Sequence, residues 1–207
     1  MKVMTFPSIP LLPKASDVFR ALGYSKDKTI LAGLMEKDLN CYMEEARNYI
    51  ILKGAAARLS IKEIKNGRIV LENDIIFNSK DLVNFLKGAK ETLFIAATAG
   101  QAVMDAITAK TSEKDLTRAV VYNAVAGEMV DEALTWIGQY MHQQLLREGA
   151  SLDLRRFSVG YGDFKIENQK IFWKTLNLKD LGIFMTDQYF LLPEKSVTAI
   201  SGIRFAG

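Results

Sequence analysis

From Gln101 to Leu146 the chain favours helix with one interruption, near Thr111. A long amphipathic helix must bury its apolar face against another layer, so this stretch limits the architectures open to the rest of the sequence. Leu116, Val120, Ala124, Gly127, Val130, Leu134, Ile137, Met141 and Leu145 recur at helical spacing and predict one continuous stripe. Ser112 followed by Asp115 gives a capping signature for the second segment. Ala119, Ala124, Ala126 and Gly127 are small, which predicts close approach of a neighbouring element.

The strands that could form that layer are spread along the chain. Leu59 and Ile61 alternate with polar residues, as do Ile69 and Leu71, and Asn66-Gly67 between them suits a type I′ hairpin turn. The run TLFIAATAG at 92–100 reads as a buried strand with a glycine at its exit. QYFLLP at 188–193 and SVTAISGIRF at 196–205 return to strand character, with Val197, Ala199, Ser201, Ile203 and Phe205 on one face. Between the strands lie further helices. Ser16 is positioned to cap DVFRALGY, which Gly23 helps to end. A second helix is expected from about Asp27, with Leu31, Leu34, Met35, Leu39, Tyr42, Met43, Ala46 and Ile50 on its inner face. Ser79 and Asp81 open a short one, and another runs through Ile171, Phe172, Trp173 and Leu176. Helices and strands in mixed order predict an α+β fold, long helices packed on a mainly antiparallel sheet. Residues 1–207 are expected to form a single domain, with residues 1–14 an arm interrupted by prolines.

Composition removes several function classes. A net charge of +3 with no basic cluster argues against nucleic acid as a partner. Cys41 is the only cysteine and His142 the only histidine, so neither a disulfide framework nor a usual zinc set is available. Cys41 beside the apolar stripe of its helix is expected to be a buried, inert thiol, and His142 an ordinary boundary residue. No apolar run reaches membrane-spanning length, the first residues do not read as a signal peptide, and a cytoplasmic location is expected. The dinucleotide, phosphate-loop, zinc-protease and nucleophile-elbow motifs are missing, so no catalytic residue and no metal ligand is assigned.

RRFSVGYGDF at 155–164 stands apart. It is either a tight turn that needs its glycines or a loop that holds a charged small molecule. Arginine grips a carboxylate through two parallel hydrogen bonds, glycine lets backbone approach a ligand, and tyrosine stacks on a flat ring. The stretch resembles the RxxxGY motif of the reactivation domain of cobalamin-dependent methionine synthase, and most of all the RxSPGYGD loop of its free-standing activation-subunit form. Arg156, Ser158, Gly160, Tyr161, Gly162 and Asp163 match, and Val159 stands where proline is commoner. DVFRALGY at 17–24, TLFIAATAG and LLPEKSVTAISGI at 191–203 resemble other family segments in the right order.

The resemblance implies an activation-domain fold that binds S-adenosylmethionine (AdoMet) and docks over cobalamin (vitamin B12) held by a methionine synthase subunit. An electron from flavodoxin or a ferredoxin-like donor then supports reductive methylation of cob(II)alamin, in the service of methionine biosynthesis. The chain would be a non-autonomous component of that methyltransferase system. By the same resemblance Arg156 binds the AdoMet carboxylate, Ser158 and Gly160 offer backbone contacts, and Tyr161 lies along the ligand. An acidic residue on the preceding helix completes the set, with Asp131 preferred and Glu132 the alternative register. Lys195 and Ser196 are plausible further contacts. Two other readings stay open: an accessory for another corrinoid methyltransferase, and a docking module that has lost AdoMet. Arg156 as a surface ion pair and Tyr161 as a packing anchor are the structural alternatives.

Overall fold

A computed structural model describes residues 2–24 and 33–205. Its centre is a sheet whose hydrogen-bonded pairs are all antiparallel. Strands β1 (Val3–Phe6), β2 (Lys53–Lys65), β3 (Arg68–Leu71), β4 (Ile76–Asn78), β5 (Glu91–Thr98), β6 (Ala150–Leu152), β7 (Phe157–Ser158) and β10 (Ser196–Phe205) belong to it. The main path runs β4-β3-β2-β5-β10-β6, with β1 added to β2 and β7 added to β10. A separate hairpin joins β8 (Phe184–Met185) and β9 (Leu191–Leu192). The helices are α1 (Ala15–Ala21), α2 (Gly33–Arg47), α3 (Lys80–Phe85), α4 (Gln101–Ser112), α5 (Leu116–Leu146) and α6 (Gln169–Thr175). The α+β expectation therefore holds.

Alternation along the strands divides the interior in two. Ala56, Leu93, Ile95, Ala97, Ala199 and Ile203 face a core shared with α1, α2, α4 and α5. Ala55, Ala57, Leu59, Phe94, Ala96 and Ile200 face a second core under α3, α6 and the loops. Aromatic rings fill that second core: Phe94 stacks on Phe172 at 4.2 Å between centroids, and Phe77 meets Phe164 edge-on at 5.1 Å. The arm residues Val3–Phe6 extend the sheet, and Phe6 packs edge-on against Trp136 and Tyr140 of α5.

The hairpin turn is as read from the sequence. Lys65 pairs with Arg68, and Asn66 and Gly67 both take positive φ, at 52° and 77°. Close approach of α5 to the sheet depends on Gly54 of β2, which the sequence reading passed over. A Cβ there would fall 2.5 Å from Ile137 Cδ1 and 2.7 Å from the Ala96 carbonyl oxygen.

Several expectations need correction. The α1 cap position is Lys14, with no side-chain cap bond, and Ser16 lies inside the helix. Asp115, not Ser112, caps α5, accepting from Arg118 N at 3.2 Å, while the Ser112 hydroxyl bonds back to the Thr108 carbonyl within α4. The α5 stripe is buried from Val130 to Leu145, but Leu116 and Val120 are exposed. Ala119, Tyr122, Val125, Ala126 and Met129 are buried near its start instead. The neighbours explain this: α5 packs on α2 and α4 as well as on the sheet, so the face it buries turns around the helix. Cys41 is exposed, 3.6 Å from a Glu45 carboxylate oxygen, rather than buried. The start of the second helix, with Leu31, lies outside the described residues. His142 is a fastener between α5 and β6: its Nδ1 accepts from Leu152 N at 3.2 Å.

Candidate functional site

Between the middle of α5 and the segment that follows β6 runs an open groove of about 630 Å³. Asp131, Thr135, Leu154, Arg155, Arg156, Phe157, Ser158 and Tyr161 line it. The helix contributes Asp131 and Thr135 because residues four apart share a face one turn apart. The Thr135 hydroxyl donates to the Asp131 carbonyl at 3.2 Å and accepts from Arg156 Nη1 at 2.9 Å. Arg156 Nη2 donates to Asp131 Oδ1, also at 2.9 Å. These bonds use two of the five N–H donors a guanidinium carries. The Arg156 side chain is 20% exposed and that of Asp131 is 68% exposed, so the cation is set into the wall and its counter-ion stands at the mouth.

The two arginines of the motif are used differently. Arg155 is turned outward onto Asp153, with Nη2 to Oδ2 at 2.7 Å, and its guanidinium holds the Asp153 carboxyl below the usual carboxylate range. Its carbonyl accepts from the Ser201 hydroxyl at 2.9 Å, tying the segment to β10. Arg156 then points inward, and Ser158 pairs with Ala199.

After Ser158 the chain makes a compact turn. Gly160 takes φ +90°, its N–H donates to the Phe164 carbonyl at 2.8 Å, and Phe164 N returns to the Tyr161 carbonyl at 2.9 Å. Val159 and Phe164 are buried in the second core and anchor the turn. Tyr161 is 69% exposed at the groove, which removes its reading as a packing anchor. Asp163 leaves the groove and reaches α3, accepting from the Ser79 hydroxyl, from Lys80 N at 2.7 Å and from Asp81 N at 3.2 Å.

The structure thus brings Arg156, Ser158, Tyr161 and Asp131 to one groove, with Gly160 in the adjoining turn. Glu132, one position round the helix, accepts from Lys14 Nζ at 2.9 Å and lines a smaller cleft under residues 11–14. Asp131 borders both cavities. Ser196 is buried, its hydroxyl on Thr98 Oγ1 at 2.8 Å, and so belongs to the strand interior rather than the groove. Lys195 lies over Gly127 of α5, its Nζ 3.9 Å from where a Cβ would stand. Sequence reasoning missed Thr135, although its four-residue spacing from Asp131 was a usable signal. It also missed the union of Ser79 with Asp163, for which residues 84 apart give no local cue. Among the described residues no His, Cys, Asp and Glu cluster is placed to hold a metal, and no helix is long and apolar enough to cross a membrane.

A second arginine constellation sits at the start of α5. Arg118 Nε donates to Glu45 Oε2 at 2.9 Å and Nη1 to Asp115 Oδ2 at 2.7 Å, and its guanidinium lies 4.2 Å from the centroid of the Tyr42 ring. The buried Tyr122 hydroxyl also donates to Glu45 Oε2, at 2.8 Å. The Arg118 hydrogen bond holds the Glu45 carboxyl below its usual range, and burial pushes the Tyr122 hydroxyl upward.

No family model matches the sequence, and no curated protein sequence matches it significantly. Among solved structures the chain is similar to the MetH reactivation domain bound to AdoHcy, with a TM-score of 0.71 and 13% identity. The likeness covers 98% of this chain and 78% of that one. At that identity it is a likeness of fold. The chain has the fold of a methionine synthase activation domain, as its loop and flanking segments implied.

Proposed function

We propose that the groove binds AdoMet and that the protein serves as an activation subunit for a cobalamin-dependent methionine synthase. The observation that carries this reading is the Arg156–Asp131 pair, 2.9 Å apart at the wall of an open groove. A cation and an anion side by side complement the carboxylate and ammonium of an α-amino acid. Three guanidinium donors of Arg156 have no partner among the described residues, and the exposed Asp131 carboxylate is free to turn toward a positive ligand group. The volume lies within the roughly 300–1,000 Å³ usual for small-molecule sites. Fold and loop support the same choice, since the similar solved domain has AdoHcy bound.

In this reading Arg156 grips the ligand carboxylate, and Asp131 offsets its ammonium or sulfonium charge. Tyr161 lies along the adenosine, with the backbone of Ser158 and Gly160 beside it. Leu154 and Phe157 provide apolar wall. Bound AdoMet supplies a methyl cation, which together with one electron from a reduced donor converts partner-held cob(II)alamin into methylcobalamin and leaves AdoHcy. The protein's task is to place the methyl donor over the partner's cofactor. Flavodoxin or a ferredoxin-like protein is the electron donor, and the cytoplasm the setting.

The test is reconstitution with a methionine synthase lacking this domain. With AdoMet and a reduced flavodoxin, inactive cob(II)alamin on the partner is expected to become methylcobalamin, read by its absorbance, only when this protein is added. Docking without that conversion, and without AdoMet binding, would favour a docking module. Conversion on a different corrinoid protein alone would favour the other accessory role.

A further inference from the structure

Asp163 is the second-last residue of the RRFSVGYGDF loop, yet its carboxylate serves α3 rather than the groove. A helix start leaves its first N–H groups without intrahelical partners. At α3 all of them are accounted for. Ser79 N donates to the Gly67 carbonyl at 2.9 Å, Lys80 N and Asp81 N go to the two oxygens of Asp163, and Leu82 N goes to Ser79 Oγ at 2.9 Å. Because the Ser79 hydroxyl accepts from Leu82, its own proton is directed to Asp163 Oδ1. The contact is reciprocal: Asp163 N donates to Asp81 Oδ2 at 3.1 Å.

Gly162 makes this approach possible. It takes φ +53°, and a side chain there would overlap the Asp81 carboxylate. On the other side α3 is fixed by Leu82, with Leu86 just beyond its end, both fully buried in the second core. The charged groups around Asp163 on the helix are Lys80 and Asp81. The Ser79 hydroxyl and then the amides hold the Asp163 carboxyl below its usual range, in keeping with an ionised cap.

Tyr161 stands two residues from this carboxylate, inside the turn closed by the hydrogen bond from Gly160 N to the Phe164 carbonyl and the one from Phe164 N to the Tyr161 carbonyl. Movement at Asp163 is therefore transmitted to the groove wall over a very short length of chain. We propose that Asp163 is a positioning residue: by closing the N-terminus of α3 it fixes where Tyr161 stands, and through Tyr161 it sets ligand affinity without touching the ligand. The second half of this inference rests on the AdoMet reading, while the first half does not.

The experiment has two arms, run on the full chain with Asp163→Ala and the milder Asp163→Asn. Hydrogen–deuterium exchange of the free protein reads the clamp. The expected result is faster exchange of the Gly160 and Phe164 amides in both variants, with α5 protected as in wild type. Unchanged exchange at 157–164 would overturn the clamp whatever the ligand. Titration with AdoMet reads the route through Tyr161. Asp163→Ala is expected to weaken binding about fivefold to tenfold, the scale of a lost helix cap, but to cost less than about twofold in a Tyr161→Ala background. Fully additive losses would overturn the route. Should Asp163→Ala fail to fold, Asp163→Asn carries both arms. Absence of AdoMet binding in wild type would count against the function, and with it the affinity claim, leaving exchange alone to decide the clamp.

Discussion

Arg118 on α5 and Arg156 beside it are both paired with carboxylates, and the difference between them separates a fastener from a candidate binding group. Around Arg118 two carboxylates, a tyrosine hydroxyl and an aromatic face converge, and Glu45 Oε2 is shared by two donors from α5. Its charges are committed to joining α2 and α5. Arg156 has a threonine and one mostly exposed aspartate, and it borders an open groove. A guanidinium with spare donors and an exposed counter-ion can exchange partners when a carboxylate arrives. What surrounds the pair, rather than the pair itself, decides its use.

Substitutions can break this comparison, beginning with the largest effect. Arg156→Ala is expected to weaken AdoMet binding by about 1.5–3 kcal/mol, roughly tenfold or more, with little change in melting temperature. Calorimetry beside a thermal melt checks both. Arg118→Ala should do the reverse, lowering the melting temperature while leaving AdoMet affinity within about twofold. If Arg118→Ala abolished binding and Arg156→Ala merely destabilised the fold, the assignment of roles would be inverted.

Acid sharpens the contrast. Glu45 has a folded value held below the ordinary one, so its contribution is present above the unfolded value and is lost as pH falls through the folded value. Stability is therefore expected to decline below about pH 4 in wild type, and less steeply in Arg118→Ala. Tyr161→Ala comes next, with affinity falling several-fold and stability unchanged, as its 69% exposure requires. The smallest effect belongs to Glu132→Ala, which breaks the Lys14 ion pair and should leave AdoMet binding as it is.

Much of this architecture could be read from residues whose signals are local. Asn66-Gly67 specifies its own turn, and the unbroken apolar run along β5 marks a strand buried on both faces. The α5 stripe was legible only where its neighbour stays the same: toward its start α5 packs on other helices, and Leu116 and Val120 come to face solvent. At the site, chemistry picked out RRFSVGYGDF but could not separate Arg155 from Arg156. That distinction is made by Asp153 and Ser201, which hold the first arginine in place. Choosing Asp131 rather than Glu132 for the groove depends on helix phase, which a single position of error reverses. The Ser79–Asp163 clamp and the fit of Gly54 against Ile137 join distant segments, and such contacts leave no periodic trace.

The most direct test of the central claim compares AdoMet with its decarboxylated form by calorimetric titration, on wild type and on Arg156→Ala. The account predicts that wild type binds AdoMet at least about tenfold more tightly than the decarboxylated ligand, and that Arg156→Ala no longer distinguishes them. Equal affinity of wild type for the two ligands, or no binding of either, would contradict it.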